Sequence, residues 1–216
     1  AAPSVTLEPS RATNSTLTAF IRGIGQQDPL AGFEQGVALY IDDVYVARPQ
    51  GALLDIYDVE RVEVLRGPQG TLYGRNAVGG AIKYVTRRLG NEASFRAKAS
   101  LGTYGQQDLV LTGSAPLSDT FRVGATLASL NRDGFGDNLT TGEEHYNKEI
   151  LAYRISAEFE PTDSVLVRLA YDKTDDDSNP VAGYRVAPAP ISGTPVTSDV
   201  RDTYAGASQN VSTSGI

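Results

Sequence analysis

The stretch "VERVEVLRGPQGTLYGRNAVGGAIKYVTRRL", Val59 to Leu89, sets two β-prone segments on either side of a glycine-rich core. Five glycines, Gly67, Gly70, Gly74, Gly79 and Gly80, lie among Arg66, Tyr73 and Arg75. Glycine-rich loops often cradle phosphate, so spacing is the first test. A P-loop requires a Lys-Ser/Thr pair directly after its second glycine. Gly74 and Gly79 have the outer spacing, but Gly80 and Ala81 follow, and Lys83 comes too late. A dinucleotide fingerprint needs three spaced glycines between a strand and a helix. "GIGQQD" at Gly23 to Asp28 lacks the third, and no helix of useful length follows. Glycine also permits positive φ and close backbone approach. A chain that turns repeatedly in a confined space needs both. The guanidinium groups of Arg66 and Arg75 suit the carbonyls and carboxylates such a space supplies.

Composition removes several functions. The chain of 216 residues has no Cys, Met or Trp and a single histidine, His145. Thiol nucleophiles, disulfides and cysteine-ligated metals are excluded, and His-based triads have no partners. No catalytic set, cofactor motif or metal-ligand spacing emerges from these residues. The formal net charge of −7 opposes nucleic-acid binding, which needs a basic surface. No apolar run nears the roughly 18 residues of a transmembrane helix, a test that is blind to β-barrels. The lack of any methionine suggests a processed chain or a piece of a longer one.

The pattern changes near residue 90. Before it, short Val/Ile/Tyr-rich runs bounded by Gly, Pro or Asp read as strands of a compact mixed domain. "LLDIYDVERVEVL" could hold one helical turn before its strand. After residue 90 come about five long alternating segments, which a period of two divides into faces. Phe95, Ala97, Ala99 and Leu101 oppose Arg96, Lys98 and Ser100. Phe121, Val123, Ala125 and Leu127 oppose Arg122, Gly124 and Thr126. Leu151, Tyr153, Ile155, Ala157 and Phe159 oppose Arg154, Ser156 and Glu158, and Val165, Val167, Leu169 and Tyr171 oppose Arg168 and Asp172. "QDLVLTGSA" is a less regular fifth. "APLSDT" and "EPTDS" are tight turns, whereas "NRDGFGDNLTTGEEHYNK" and the tail from Thr174 to Gly215 read as long loops. Short turns at one end and long loops at the other mark an outer-membrane barrel. A soluble β-sandwich alternates too, and the strands alone leave both open.

The stretch from Val59 to Leu89 resembles the plug-domain signature of TonB-dependent outer-membrane receptors. "FIRGIG" (Phe20 to Gly25) resembles the plug's Ile-Arg-Gly element, and "VALYIDDVYVARP" (Val37 to Pro49) the strand pair before the signature, with Asp43 where glycine is common. The resemblance implies a mixed α+β, mostly β plug over residues 1–90 and the first antiparallel strands of a transmembrane β-barrel over 91–216, out of about 22 in the family type. It implies a transporter of the Gram-negative outer membrane, not an enzyme, its plug facing the periplasm. An extracellular ligand such as a ferric siderophore, a cobalamin-like molecule or a glycan would be imported with energy from TonB and its ExbB/ExbD-type inner-membrane motor. No TonB box precedes Ala1 and the barrel is incomplete, so the chain reads as an internal piece that needs outer-membrane lipid and the remainder of the barrel. A cell-surface structural or adhesive β-protein is the alternative.

By the same resemblance, Arg22 and Arg66 match plug arginines that latch to barrel glutamates, and the five glycines shape the plug turns. The loops "GQQDPLAG" and "VARPQGAL" would rise to the outer apex, making Gln27, Asp28, Arg48 and Gln50 candidate ligand contacts. "DKTDDDSNP" clusters carboxylates around Asp175 to Asp177, but without EF-hand spacing it reads as a solvated acidic loop.

Overall fold

The computed structural model describes residues 3–10, 15–26, 34–47, 58–179, 186–190, 192–204 and 211–215. In chain order the elements are β1 (Val5–Pro9), β2 (Leu17–Ile21), β3 (Ile24–Gly25), β4 (Val37–Ile41), β5 (Val44–Tyr45), β6 (Val59–Arg66), α1 (Gly70–Tyr73) and β7 (Gly80–Thr86). There follow β8 (Ser94–Leu101), β9 (Gln107–Pro116), β10 (Phe121–Arg132), β11 (Gly136–Asp137), β12 (Glu144–His145), β13 (Lys148–Thr162), β14 (Val165–Asp176) and β15 (Val211–Gly215).

The first part is two small sheets back to back. One is the meander β1-β2-β3; the other has the order β5-β4-β7-β6, with β4 and β7 parallel. β4 reads as an unbroken apolar run because both its faces are covered. Val37 and Leu39 pack with Ala19, Ile21, Ile82 and Tyr84 between the two sheets. Ala38 and Tyr40 pack on the other side with Ala77 and Ala81.

The glycine stretch holds a single helical turn, α1, which the sequence reading had as turns only. The helical turn expected ahead of β6 falls mostly on residues 51–57, outside the described residues. At Gly80 φ is +142°, and a Cβ would lie 2.1 Å from the Leu65 carbonyl oxygen, so the position demands glycine twice over. Gly79 lacks a positive φ; its Cβ would lie 2.9 Å from the Ile24 side chain, so the need there is close approach. Gly67 and Gly74 take positive φ, and Gly70 opens α1.

The second part is one antiparallel sheet of six strands in the order β15-β14-β13-β10-β9-β8, with β11 and β12 forming a small hairpin between β10 and β13. Two segments expected as loops are in part strand. β14 continues through Asp176, so the supposed acidic loop is largely strand, and β15 forms within the supposed loop tail.

Burial decides between sandwich and barrel. In a sandwich the apolar face is the core. Here it is the outside: Phe95 is 71% exposed, Ile155 56% and Leu169 64%. Register joins these residues into one apolar surface, for example Ala97–Leu111–Leu127–Tyr153 and Ala115–Val123–Ala157–Leu169 across successive strands. The opposite face carries buried Arg122, Thr126, Glu158 and Thr174 and covers the first part. Apolar-out, polar-in is the patterning of a transmembrane barrel wall.

Candidate functional site

The structure concentrates its buried charge where the small sheets meet the inner face of the wall. The chain reverses between β4 and β5 through Asp42 and Asp43, with φ of 47° and 71°. Two positive φ values make a type I′ turn, which matches strand twist and which aspartate tolerates better than most residues. Asp43 therefore keeps the hairpin despite replacing the common glycine. Its carboxylate pairs with Lys83 Nζ at 2.5 Å, a bond that holds the Lys83 ammonium above its ordinary pKa.

Asp42 faces both parts of the molecule. Within its own part, Oδ1 accepts the Thr86 amide at 2.8 Å and Oδ2 the Thr86 hydroxyl at 2.6 Å. From the wall, Arg154 Nη2 reaches Oδ2 at 3.4 Å and Arg168 Nη1 lies 3.6 Å from Oδ1. Arg168 also donates to Thr86 Oγ1 at 3.0 Å, and Arg154 to its cross-strand neighbour Asp172 at 2.9 Å.

A second cluster adjoins the first. Arg122, Glu158 and Arg168 sit opposite one another on β10, β13 and β14, an alternating-charge row across the inner face. Glu158 is 1% exposed. Arg88, on the segment between β7 and β8, donates to its Oε2 at 2.9 Å, while Arg168 Nε lies 3.0 Å from Oε1. Glu160 accepts from Arg122 at 2.8 Å and from Arg88 at 3.3 Å, and Arg122 Nε donates to Asn91 at 2.7 Å. A buried carboxylate is costly unless paired and hydrogen-bonded; here guanidinium groups surround it. Apolar contact completes the junction, with Ile41 and Val59 packed on Ala128, Leu130, Ile150 and Ala152.

Arg22 lies in the β2–β3 turn with φ of 52°, and Arg66 ends β6; both are exposed, and neither pairs with a carboxylate among the described residues. Among the contacts that join the plug to this part of the wall are those of Asp42, Arg88, Arg154, Glu158 and Arg168. The polar-face pattern contained three of these, but not their convergence, which depends on register. Charged residues in the middle of long strands were the available signal. Gln27, Asp28, Arg48 and Gln50 lie outside the described residues. Tyr73 accepts the Tyr40 hydroxyl on its carbonyl at 2.5 Å, and Arg75 pairs with Glu34 at 3.0 Å. In the acidic segment Asp175 pairs with Lys173 at 2.8 Å. Among the described residues no group of three or more His, Asp or Glu is placed to hold a metal.

An outward apolar wall with a folded unit ion-paired to its polar inner face is the arrangement of a plug against the opening strands of a transmembrane β-barrel. Residues 1–81 match the family model of the TonB-dependent receptor plug domain. The pesticin receptor of Yersinia pestis is 31% identical over 131 residues, 59% of this chain and 19% of its own length. The ferrioxamine B receptor of Salmonella typhimurium is 28% identical over 123 residues, 54% of this chain and 18% of its own. The crystal structure of the ferric yersiniabactin uptake receptor FyuA from Yersinia pestis superposes with a TM-score of 0.73 at 26% identity, covering 85% of this chain and 29% of that one. The pyoverdine receptor FpvA of Pseudomonas aeruginosa shares the fold, with a TM-score of 0.64 at 21% identity over 86% of this chain and 26% of its own. Residues 1–81 thus carry a TonB-dependent receptor plug domain, and the chain shares the fold of the plug and opening barrel strands of such a receptor. It spans about a fifth of the length of the curated relatives it matches.

Proposed function

We propose that the chain is the plug and first wall segment of an outer-membrane receptor that imports a ferric siderophore in a TonB-dependent manner. The observation that carries this reading is the charged seam of Asp42, Arg154, Arg168, Glu158 and Arg88 between plug and wall. A seam of directed ion pairs holds a plug in register, yet can re-form after displacement more readily than an interdigitated apolar core. An adhesive β-protein would have no use for it. Relatives described as receptors for ferrioxamine B and ferric yersiniabactin support a siderophore as ligand.

In this reading the connection 133–147 and residues 177–179 after β14 face outward, and the tight turns at 117–120 and 163–164 face the periplasm. TonB, driven by its ExbB/ExbD-type motor, acts on the plug from that side. Lipid covers the face of Phe95, Ile155 and Leu169, and the remaining strands pair with the edges at β8 and β15. Arg22 and Arg66, both exposed, latch to carboxylates of those remaining strands. No covalent step is involved.

The test is uptake of iron-55 complexes of ferrioxamine B and of yersiniabactin by cells with the full-length receptor as their sole siderophore receptor. Accumulation that stops on deleting TonB, or on collapsing the proton-motive force, is the expected result. Neither chelate entering, or entry that ignores TonB, would sink the reading.

A further inference from the structure

Asp176 ends β14 at the long-connection edge of the wall, in the cross-strand row Leu130–Ile150–Asp176. It is 2% exposed. Its Oδ2 accepts the backbone amide of Ser15, at the far end of the β1–β2 connection of the plug, at 3.0 Å. Its Oδ1 accepts the amide of Ser178, on the long connection after β14, at 3.1 Å. One carboxylate thus holds a plug amide with one oxygen and a loop amide with the other.

Each side leads further. Asp177 N donates to the Glu149 carbonyl at 2.9 Å and Ser178 Oγ accepts the Glu149 amide at 2.8 Å. Asn179 donates its amide to Asn147 Oδ1 and its side chain to the Glu144 carbonyl, both at 2.7 Å. Residues 177–179 are therefore bound to the other long connection through β12 and the start of β13. On the plug side Ser10 N donates to the Thr16 carbonyl at 2.9 Å, and Ser10, Ser15, Thr16 and Thr18 are all buried. Hydroxyl-lined contact of this kind depends on directed bonds. A planar carboxylate cannot turn to follow one amide without loosening the other.

We propose that Asp176 is a positioning residue that makes the long outer connections and the first plug hairpin move as one, so that a shift of residues 177–179 is felt at Ser15. This rests on the reading above only in taking that edge as the ligand-facing one. Coupling between two sites is warranted physically by an element that both can bias, and here that element is one side chain.

The test is residue-resolved amide hydrogen exchange on the full-length receptor in bilayer nanodiscs, without ligand and without TonB. Asn179→Ala loosens the loop. It should speed exchange at Ser15 about tenfold, the scale of one hydrogen bond to a charged group. The Thr86 amide, held separately by Asp42, should not change. In an Asp176→Asn background, Asn179→Ala should add nothing further at Ser15. Should Asp176→Asn fail to assemble, Ser178→Ala, which keeps the carboxylate and releases the Glu149 amide, should reproduce the local effect. Equal acceleration in both backgrounds, parallel acceleration at Thr86, or no change at Ser15 in either loop variant would overturn the proposal. Import plays no part in this measurement, so failure of the uptake assay and failure of the coupling are separate results.

Discussion

Asp42 stands where three requirements meet. It takes a positive φ, caps the end of β7 through Thr86 and receives two wall arginines. Asp42→Asn keeps one acceptor for the Thr86 amide but removes the charge that Arg154 and Arg168 face. Each guanidinium keeps another carboxylate, Asp172 and Glu158, so the loss is partial. The variant should lower plug stability by about 2 kcal/mol, the worth of a hydrogen bond to a charged group. Denaturant melting of the plug in the full-length receptor would measure this, and an unchanged midpoint would remove Asp42 from the junction. Tyr84 poses the opposite case. Its side chain is fully buried in the plug core and its hydroxyl has no hydrogen-bond partner among the described residues. Tyr84→Phe should therefore stabilise the plug by about 1 kcal/mol. Burial also pushes the Tyr84 hydroxyl pKa up. A raised folded pKa gives stability that is complete below the unfolded value, about 10, and declines as pH rises beyond it. The phenylalanine variant should lose that part of the alkaline decline, seen by comparing midpoints at pH 8 and above pH 10.

At the scale of elements, the wall strands carry the clearest prediction. Leu169 lies on β14 in a row of outward apolar residues. In lipid, Leu169→Arg should cost about 2–4 kcal/mol of barrel stability if it sits near the membrane midplane. On a water-facing sheet the same change would be nearly silent, so refolding into bilayers of defined thickness separates the two. Gly80→Val should prevent β6 and β7 from pairing beside Leu65, since the added Cβ meets a carbonyl oxygen at 2.1 Å on a backbone with φ of +142°. Protease resistance of the plug is the readout, and a native digestion pattern would refute the close approach. These two elements also show what the sequence made legible. Strict alternation exposed the two faces of β8, β10, β13 and β14, because a period of two is a local property. It could not say which face was wet, since that depends on what covers the polar side. Nor could it find β15, which is rich in Ser and Thr, exists by pairing with the end of β14 and has little apolar signal of its own. The charged seam was hidden for the same reason: Asp42 and Arg154 are 112 positions apart, and only register and docking bring them together.

At the scale of the molecule, the plug is held to the described wall and still carries exposed charge. The described wall meets Asp42 and Arg88, while Arg22 and Arg66 remain exposed. A plug centred in a closed barrel must be tied around its circumference, or thermal motion would open a gap opposite its anchors. The two arginines have the reach and fixed charge to tie that far side. If they do, Arg22→Ala combined with Arg66→Ala in the full-length receptor should loosen the seal while leaving the Asp42 junction in place. The barrel would still assemble and run as a heat-modifiable species, but cells would become several-fold more sensitive to large antibiotics that the outer membrane excludes, and planar-bilayer recordings would show openings absent from the native protein. Adding Asp42→Asn should deepen the leak by more than the sum of the two effects, because either anchor alone can still restrain the plug. A tight seal in the double-arginine variant would mean that the far side is held by shape and apolar contact, and that the charge on Arg22 and Arg66 serves another step.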